Sequence, residues 1–201
     1  MKKLSFSGHE TFHCRSFWLK KGYDYLQKGK KFTDEDAILY LGVGKNMVSA
    51  IKFWMKAFDL LDEKGKPNHF AKKILADDGY DPFLEDTGTL WLLHYKLVAT
   101  GNASIYNIIF NEMRKKHSSF SKNKLMSFIY QKCIETNTSF SEKTINNDIS
   151  VFRRNYQRPI KNTKSIEDDF SAMFIDLHLL HIRNKEGETY FAISNENQGS
   201  L

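Results

Sequence analysis

The stretch Leu41-Gly42-Val43-Gly44-Lys45-Asn46-Met47-Val48-Ser49-Ala50-Ile51-Lys52-Phe53-Trp54 carries the strongest structural signal in this chain. Two glycines one residue apart predict a tight turn, and the residues from Lys45 onward predict an amphipathic helix. Met47, Val48, Ile51, Trp54, Met55 and Phe58 recur at helical spacing and place one face in a core. Lys45, Ser49, Lys52 and Lys56 fall at i, i+4, i+7 and i+11 and form a cationic stripe on the other face. A short helix, a glycine turn and a second helix with a basic outer face read as a helix-turn-helix, whose second helix enters a DNA major groove. The plainer alternative is a solvated lysine face on an ordinary core helix.

Just before the turn, Thr33-Asp34-Glu35-Asp36 reads as an N-cap with acidic residues in the first turn. Ala37, Ile38, Leu39 and Leu41 then form the short helix that enters the glycine turn. Upstream, Phe17, Trp18, Tyr25 and Leu26 predict a helix packed by aromatics and ended at Gly29. Downstream, Leu60 to Pro67 reads as a strand and turn, with a return around Asn68 to Leu75. That is the order of a winged helix, and it puts Lys64, Lys66 and His69 in a wing beside the phosphates.

Beyond Asp81-Pro82-Phe83-Leu84-Glu85-Asp86, a strong helix is expected through Leu90, Trp91, Leu92, Leu93, Tyr95 and Leu97, broken by Gly101. Ile105, Ile108, Ile109 and Met113 predict the next helix, and Ser121 to Glu135 another. Ser139 and Glu142 suit a capping box. The helix after it turns Ile145, Ile149, Phe152 and Tyr156 inward and Asn146, Asn147, Ser150, Arg153 and Arg154 outward. This pair reads as a second helix-turn-helix or, at least as readily, as two helices of a bundle with a polar outer surface. Pro159 to Lys164 is a polar linker, and Ser165-Ile166-Glu167-Asp168 a further N-cap. Leu179 to Ile182 and Thr189 to Ile193 flank Asn184-Lys185-Glu186-Gly187 as a β-hairpin. The expected fold is mainly α: a winged-helix-like, DNA-binding region over 1–80, then a helical region over 81–201, open to a second winged helix, with a C-terminal hairpin.

Composition agrees with an anionic partner. The 201 residues carry a net charge of +6 and a pI near 9.1; Lys2, Lys3, Arg15, Lys20, Lys21, Lys28, Lys30 and Lys31 crowd the N-terminal segment. Lys20 and Lys21 are expected to grip phosphates there. No apolar run reaches bilayer length, and Met1-Lys2-Lys3-Leu4-Ser5-Phe6 lacks the apolar stretch of a signal peptide. Cys14 and Cys133, the only cysteines, suit a reducing cytoplasm.

Two constellations bear on chemistry. His9-Glu10-Thr11-Phe12-His13 satisfies the H-E-x-x-H pattern of zinc proteases, which needs a helix to bring both histidines to one metal. Its position after Gly8, with no metzincin-like continuation, favours instead a polar cluster of His9, Glu10 and Arg15 at the domain edge. If the chain cuts a phosphodiester, Mg²⁺ or Mn²⁺ is the expected cofactor, and Glu10, Asp81, Glu85 and Asp86 are the carboxylates to hold it. The alternative for Glu85 and Asp86 is helix capping. Gly42-Val43-Gly44-Lys45 lacks the spacing of a Walker loop.

Phe6-Ser7-Gly8-His9-Glu10-Thr11-Phe12, Arg15, Trp18-Leu19-Lys20-Lys21-Gly22, Leu41 to Val48 with Trp54, Asp81 to Asp86 and Thr89 to His94 occur in this order. The set resembles a bacterial family of formerly unknown function, encoded beside PAPS-reductase-like proteins in DNA phosphorothioation gene clusters. The motifs cover roughly the first half of the chain. The resemblance implies a DNA-processing role: nicking or holding DNA while partners replace a non-bridging phosphate oxygen with sulfur. Those partners are a cysteine desulfurase, a PAPS-reductase-like protein and an ATPase. Gly8, His9, Glu10, Thr11, Arg15, Lys20, Lys21, Lys45, Asn46 and Trp54 match the family's motifs, and His13 lies outside them. A transcription regulator or assembly scaffold, needing no metal, uses the same basic face.

Overall fold

The computed structural model describes residues 3–157 and 172–194. Three helices build the N-terminal half: α1 (Ser16–Gln27), α2 (Ala37–Leu41) and α3 (Lys45–Ala57). The glycine turn forms as read. Gly42 closes α2 at φ +63°, a conformation that costs a side-chain-bearing residue, and Gly44 opens α3 in extended geometry. Helix α3 buries Val48, Ala50, Ile51, Trp54, Met55 and Ala57, and packs against α1. Trp54 is wholly buried between Phe53, Phe58 and Tyr106. Removing a ring of that size from a core costs about 3–5 kcal/mol.

The rest of the N-terminal reading needs correction in three places. Thr33 does not cap α2: Asp36 holds that position, and no side chain caps the helix. The expected wing is a single isolated bridge, Leu61 to Pro67, closing a turn in which Asp62 accepts from the backbone N–H of Lys64 and Lys66. The expected return is α4 (His69–Leu75), because the Asn68 side chain accepts from Ala71 N–H and starts a helix.

In the second half, Asp86 caps α5 (Thr87–Thr100), and Gly101 ends it. Next, α6 (Ser104–Asn107) widens into a π-helical turn (Ile108–Met113) and closes as α7 (Arg114–Lys116). After β1 (Ser119–Ser121) come α8 (Lys122–Glu135) and α9 (Glu142–Tyr156). Ser141, not Ser139, caps α9, accepting from Thr144 N–H. A 3₁₀ turn (Ile175–Leu177) leads to the hairpin β2 (Leu180–Lys185) and β3 (Glu188–Ile193). The sheet is antiparallel in the order β1-β3-β2. Its register aligns Phe120 and Ile182 with Phe191, so one face joins the core against α8, while His181, Arg183 and Lys185 face solvent. The linker and N-cap read at Pro159 to Asp168 lie outside the described residues.

One hydrophobic cluster runs from Cys14 to Ile193 and draws on both halves. His94 sits inside it, in edge contact with Phe110, Tyr156 and Phe174, with Nδ1 2.9 Å from the Tyr156 hydroxyl. Burial, helped by the Arg114 charge, pulls its pKa down to about 4. Both thiols are buried, and burial raises their pKa values. Among the described residues no helix is long and apolar enough to cross a membrane.

Candidate nucleic-acid interface

Helix α3 presents Lys45, Asn46, Ser49, Lys52 and Lys56 to solvent along its outer side. The sequence pattern forces this, because the same helix commits its other side to Trp54 and Met55. None of the three lysines joins an ion pair among the described residues, and no side chain caps the helix at Gly44. The result is a row of unspent ammonium groups running back from a helix start whose N–H groups favour anions. Lys64 and Lys66 are exposed on the neighbouring turn, but Asp62 and Glu63 are exposed with them and offset their charge.

The N-terminal lysines divide. Lys21 is exposed, with Nζ 3.4 Å from the Leu41 carbonyl. Lys20 is only 8% exposed, and its Nζ donates at 2.6 Å to both Asp24 and Asp77. Burial lowers its pKa, but the hydrogen bonds and charges of the two aspartates outweigh that and leave it raised. Lys20 therefore ties α1 to the segment after α4, and its ammonium is spent on those two carboxylates. Its partner Asp77 lies 57 residues away, beyond any spacing rule.

The Gly8-His9-Glu10-Thr11 motif proves to be an internal staple. Its residues form a turn, not a helix, so His9 and His13 do not share a helix face as a zinc site requires. Ser7, Glu10 and Thr11 all adopt positive φ, as does Gly8 at +81°. A Cβ on Gly8 would stand 2.7 Å from the Phe53 ring, which explains the glycine. His9 is buried, stacked on Trp54 at 6.1 Å and edge-on to Phe53. Its Nδ1 accepts from Thr11 N–H at 3.2 Å, so Nε2 carries the proton and donates to Asp148 at 3.1 Å. Asp148 also accepts from Ser7 N–H, and Asn155 from Cys14 N–H, both at 2.9 Å. Trp54 Nε1 donates to the Phe12 carbonyl, and Arg154 to that of Thr11. Arg15 stacks over Trp18 and bridges its backbone to Ala172. Arg154, expected outward, thus turns to the staple.

Asp148 and Asn155 were missed as key residues by sequence reasoning. The signal was there: two polar residues seven apart on the stripe that carries Ile145, Ile149, Phe152 and Tyr156.

The four carboxylates considered for a metal do not assemble. Asp81 is buried and accepts from Glu85 N–H and Asp86 N–H at 2.9 and 3.0 Å, which makes it the organiser of the turn before α5. Asp86 accepts from Thr89 N–H as the cap of α5, and Glu85 and Glu10 are exposed. Among the described residues no three His, Cys, Asp or Glu side chains group as metal ligands would. The capping alternative for Asp86 holds.

Known proteins share this outline. The family described as "Protein of unknown function (DUF4007)" matches residues 6–201. The crystal structure of magnesium ion-bound SspB is similar with a TM-score of 0.84 at 30% identity, over 98% of this chain and 62% of that one. A second SspB crystal structure gives 0.82 at 28% identity with the same coverage. The chain thus spans under two thirds of the length of these SspB chains. No protein of curated function matches.

Proposed function

The chain belongs to the DUF4007 family, and on that basis we propose that it is a DNA-binding component of a DNA phosphorothioate modification or defence system. It acts in the cytoplasm beside a cysteine desulfurase, a PAPS-reductase-like protein and an ATPase. The likeness to SspB supports the setting. The observation that carries DNA binding is the outer side of α3, where Lys45, Lys52 and Lys56 stand exposed and unpaired among the described residues around Asn46 and Ser49. In this reading α3 lies in a major groove, Asn46 near its start reaches a base edge, and the lysines, with Lys21, neutralise phosphates. The test is fluorescence anisotropy on duplex DNA across a salt series. Lys45→Glu with Lys52→Glu lowers affinity and flattens the salt slope; an unchanged slope refutes the placement.

Metal-dependent nicking is a finer reading, supported by the fold likeness to magnesium-bound SspB. Asp81 and Asp86 are spent on backbone N–H groups, so we assign no catalytic step to these carboxylates. Supercoiled plasmid with Mg²⁺ or Mn²⁺ decides it. Open-circle product that disappears in Glu10→Ala supports a nickase. Tight binding without cutting supports a regulator or scaffold.

A further inference from the structure

We infer that the C-terminal half carries a second duplex-DNA contact, made by the outer face of α9 and the β2–β3 hairpin. The inference rests on the reading of the chain as a DNA-binding protein, but on different residues. From Ser104 onward the elements run helix, strand, helix, helix, strand, strand, and the sheet order is β1-β3-β2. That is the element order of a winged helix: the first strand pairs with the last, the sheet packs against α8, and the hairpin turn is left in solvent. Residues 183–187 at that turn are all exposed.

Helix α9 divides along its length. Ile145, Asp148, Ile149, Val151, Phe152, Asn155 and Tyr156 are buried, while Lys143, Ser150 and Arg153 are exposed with Asn146 and Asn147 half-buried among them. At 3.6 residues per turn the latter five share roughly a third of the helix circumference. Their chemistry suits a groove. Cations stand at both ends, where phosphates would flank the helix, and two amides and a hydroxyl lie between, where base edges would be. The Asn146 amide nitrogen donates back to the Glu142 carbonyl, and its amide oxygen remains available as an acceptor. Arg153 and Arg183 join no ion pair among the described residues. Glu142 at the helix start and Glu186, 3.7 Å from Lys185 at the hairpin tip, weaken the positive field at those margins. Arg153 and Arg183 therefore carry the larger share of the contact.

Two contacts on one rigid chain bind a long duplex better than a short one, because the second engages at high effective concentration. The full-length chain is titrated by anisotropy against duplexes of about 12 and about 24 base pairs, one and two helical turns. The expected result is a preference of about tenfold or more for the longer duplex. Arg153→Glu with Arg183→Glu abolishes that preference and lowers the salt slope by about 2, with an unchanged thermal midpoint. An unchanged preference and slope in this variant overturn the inference, as does equal affinity of the parent chain for both lengths. If Lys45→Glu with Lys52→Glu is silent while Arg153→Glu with Arg183→Glu removes binding, the α3 placement fails and the C-terminal contact stands. Retained binding to an acidic polypeptide, with no DNA affinity in the parent chain, overturns both.

Discussion

Helix α3 buries Ile51, Trp54 and Met55 and turns Lys45, Ser49, Lys52 and Lys56 outward, whereas α9 turns Asp148 and Asn155 inward and holds residues 7–14 with them. Both follow a shorter helix and both are amphipathic. The difference is where their polar chemistry is spent. On α3 every polar side chain but the Trp54 indole, which donates to the Phe12 carbonyl, faces water. On α9 that chemistry is split between a solvent face and a buried set of hydrogen bonds. A polar residue on an apolar stripe therefore marks architecture, and one on the opposite stripe marks a surface still available to a ligand.

Asp148 is where this division of labour is most exposed to test. Asp148→Ala strands the buried His9 Nε2–H and Ser7 N–H together, so stability should fall by about 3–4 kcal/mol in urea denaturation. DNA affinity per folded molecule should stay within about threefold, because Asp148 is buried and the outward residues of both α3 and α9 are untouched. A stable variant that has lost DNA binding would reverse the two roles.

Acid should open the α9 side next. His94 has its pKa held near 4, below its ordinary 6.5. Between those values the unfolded chain binds the proton and the folded chain does not, so stability declines as pH falls through this window. The gap is worth about 3 kcal/mol. His94→Gln should flatten that part of the pH profile, measured as unfolding free energy from pH 7 to pH 4.

Charge reversal on α3 comes third. Lys45→Glu with Lys52→Glu should cost roughly a hundredfold in duplex affinity and reduce the salt slope by about 2, with stability within about 0.5 kcal/mol of the parent. Lys20→Gln should affect binding least. It should leave DNA affinity within about twofold and lower the thermal midpoint instead, by removing the partner of Asp24 and Asp77.

These contrasts explain what the sequence could reveal. The glycine turn, α3 and the C-terminal hairpin are legible because period and turn chemistry are local. The α4 segment misleads because seven residues hold too little periodicity to separate strand from helix, although Asn68 is a usable cap signal. Lys20 misleads because burial and pairing depend on Asp77, which no local pattern reveals. The H-E-x-x-H match fails for the same reason: only the partner Asp148, far along the chain, shows what His9 is for.

Ser7, His9 and Cys14 find their partners 141, 139 and 141 residues downstream. Residues 7–14 are thus made well before their partners, since α9 must emerge before they can dock. Until then the indole of Trp54 lacks both its stacked imidazole and its acceptor at Phe12, and the N-terminal half waits with its core uncovered. A chain halted before Asp148 should stay sensitive to protease around residues 7–14, however well its early helices have formed.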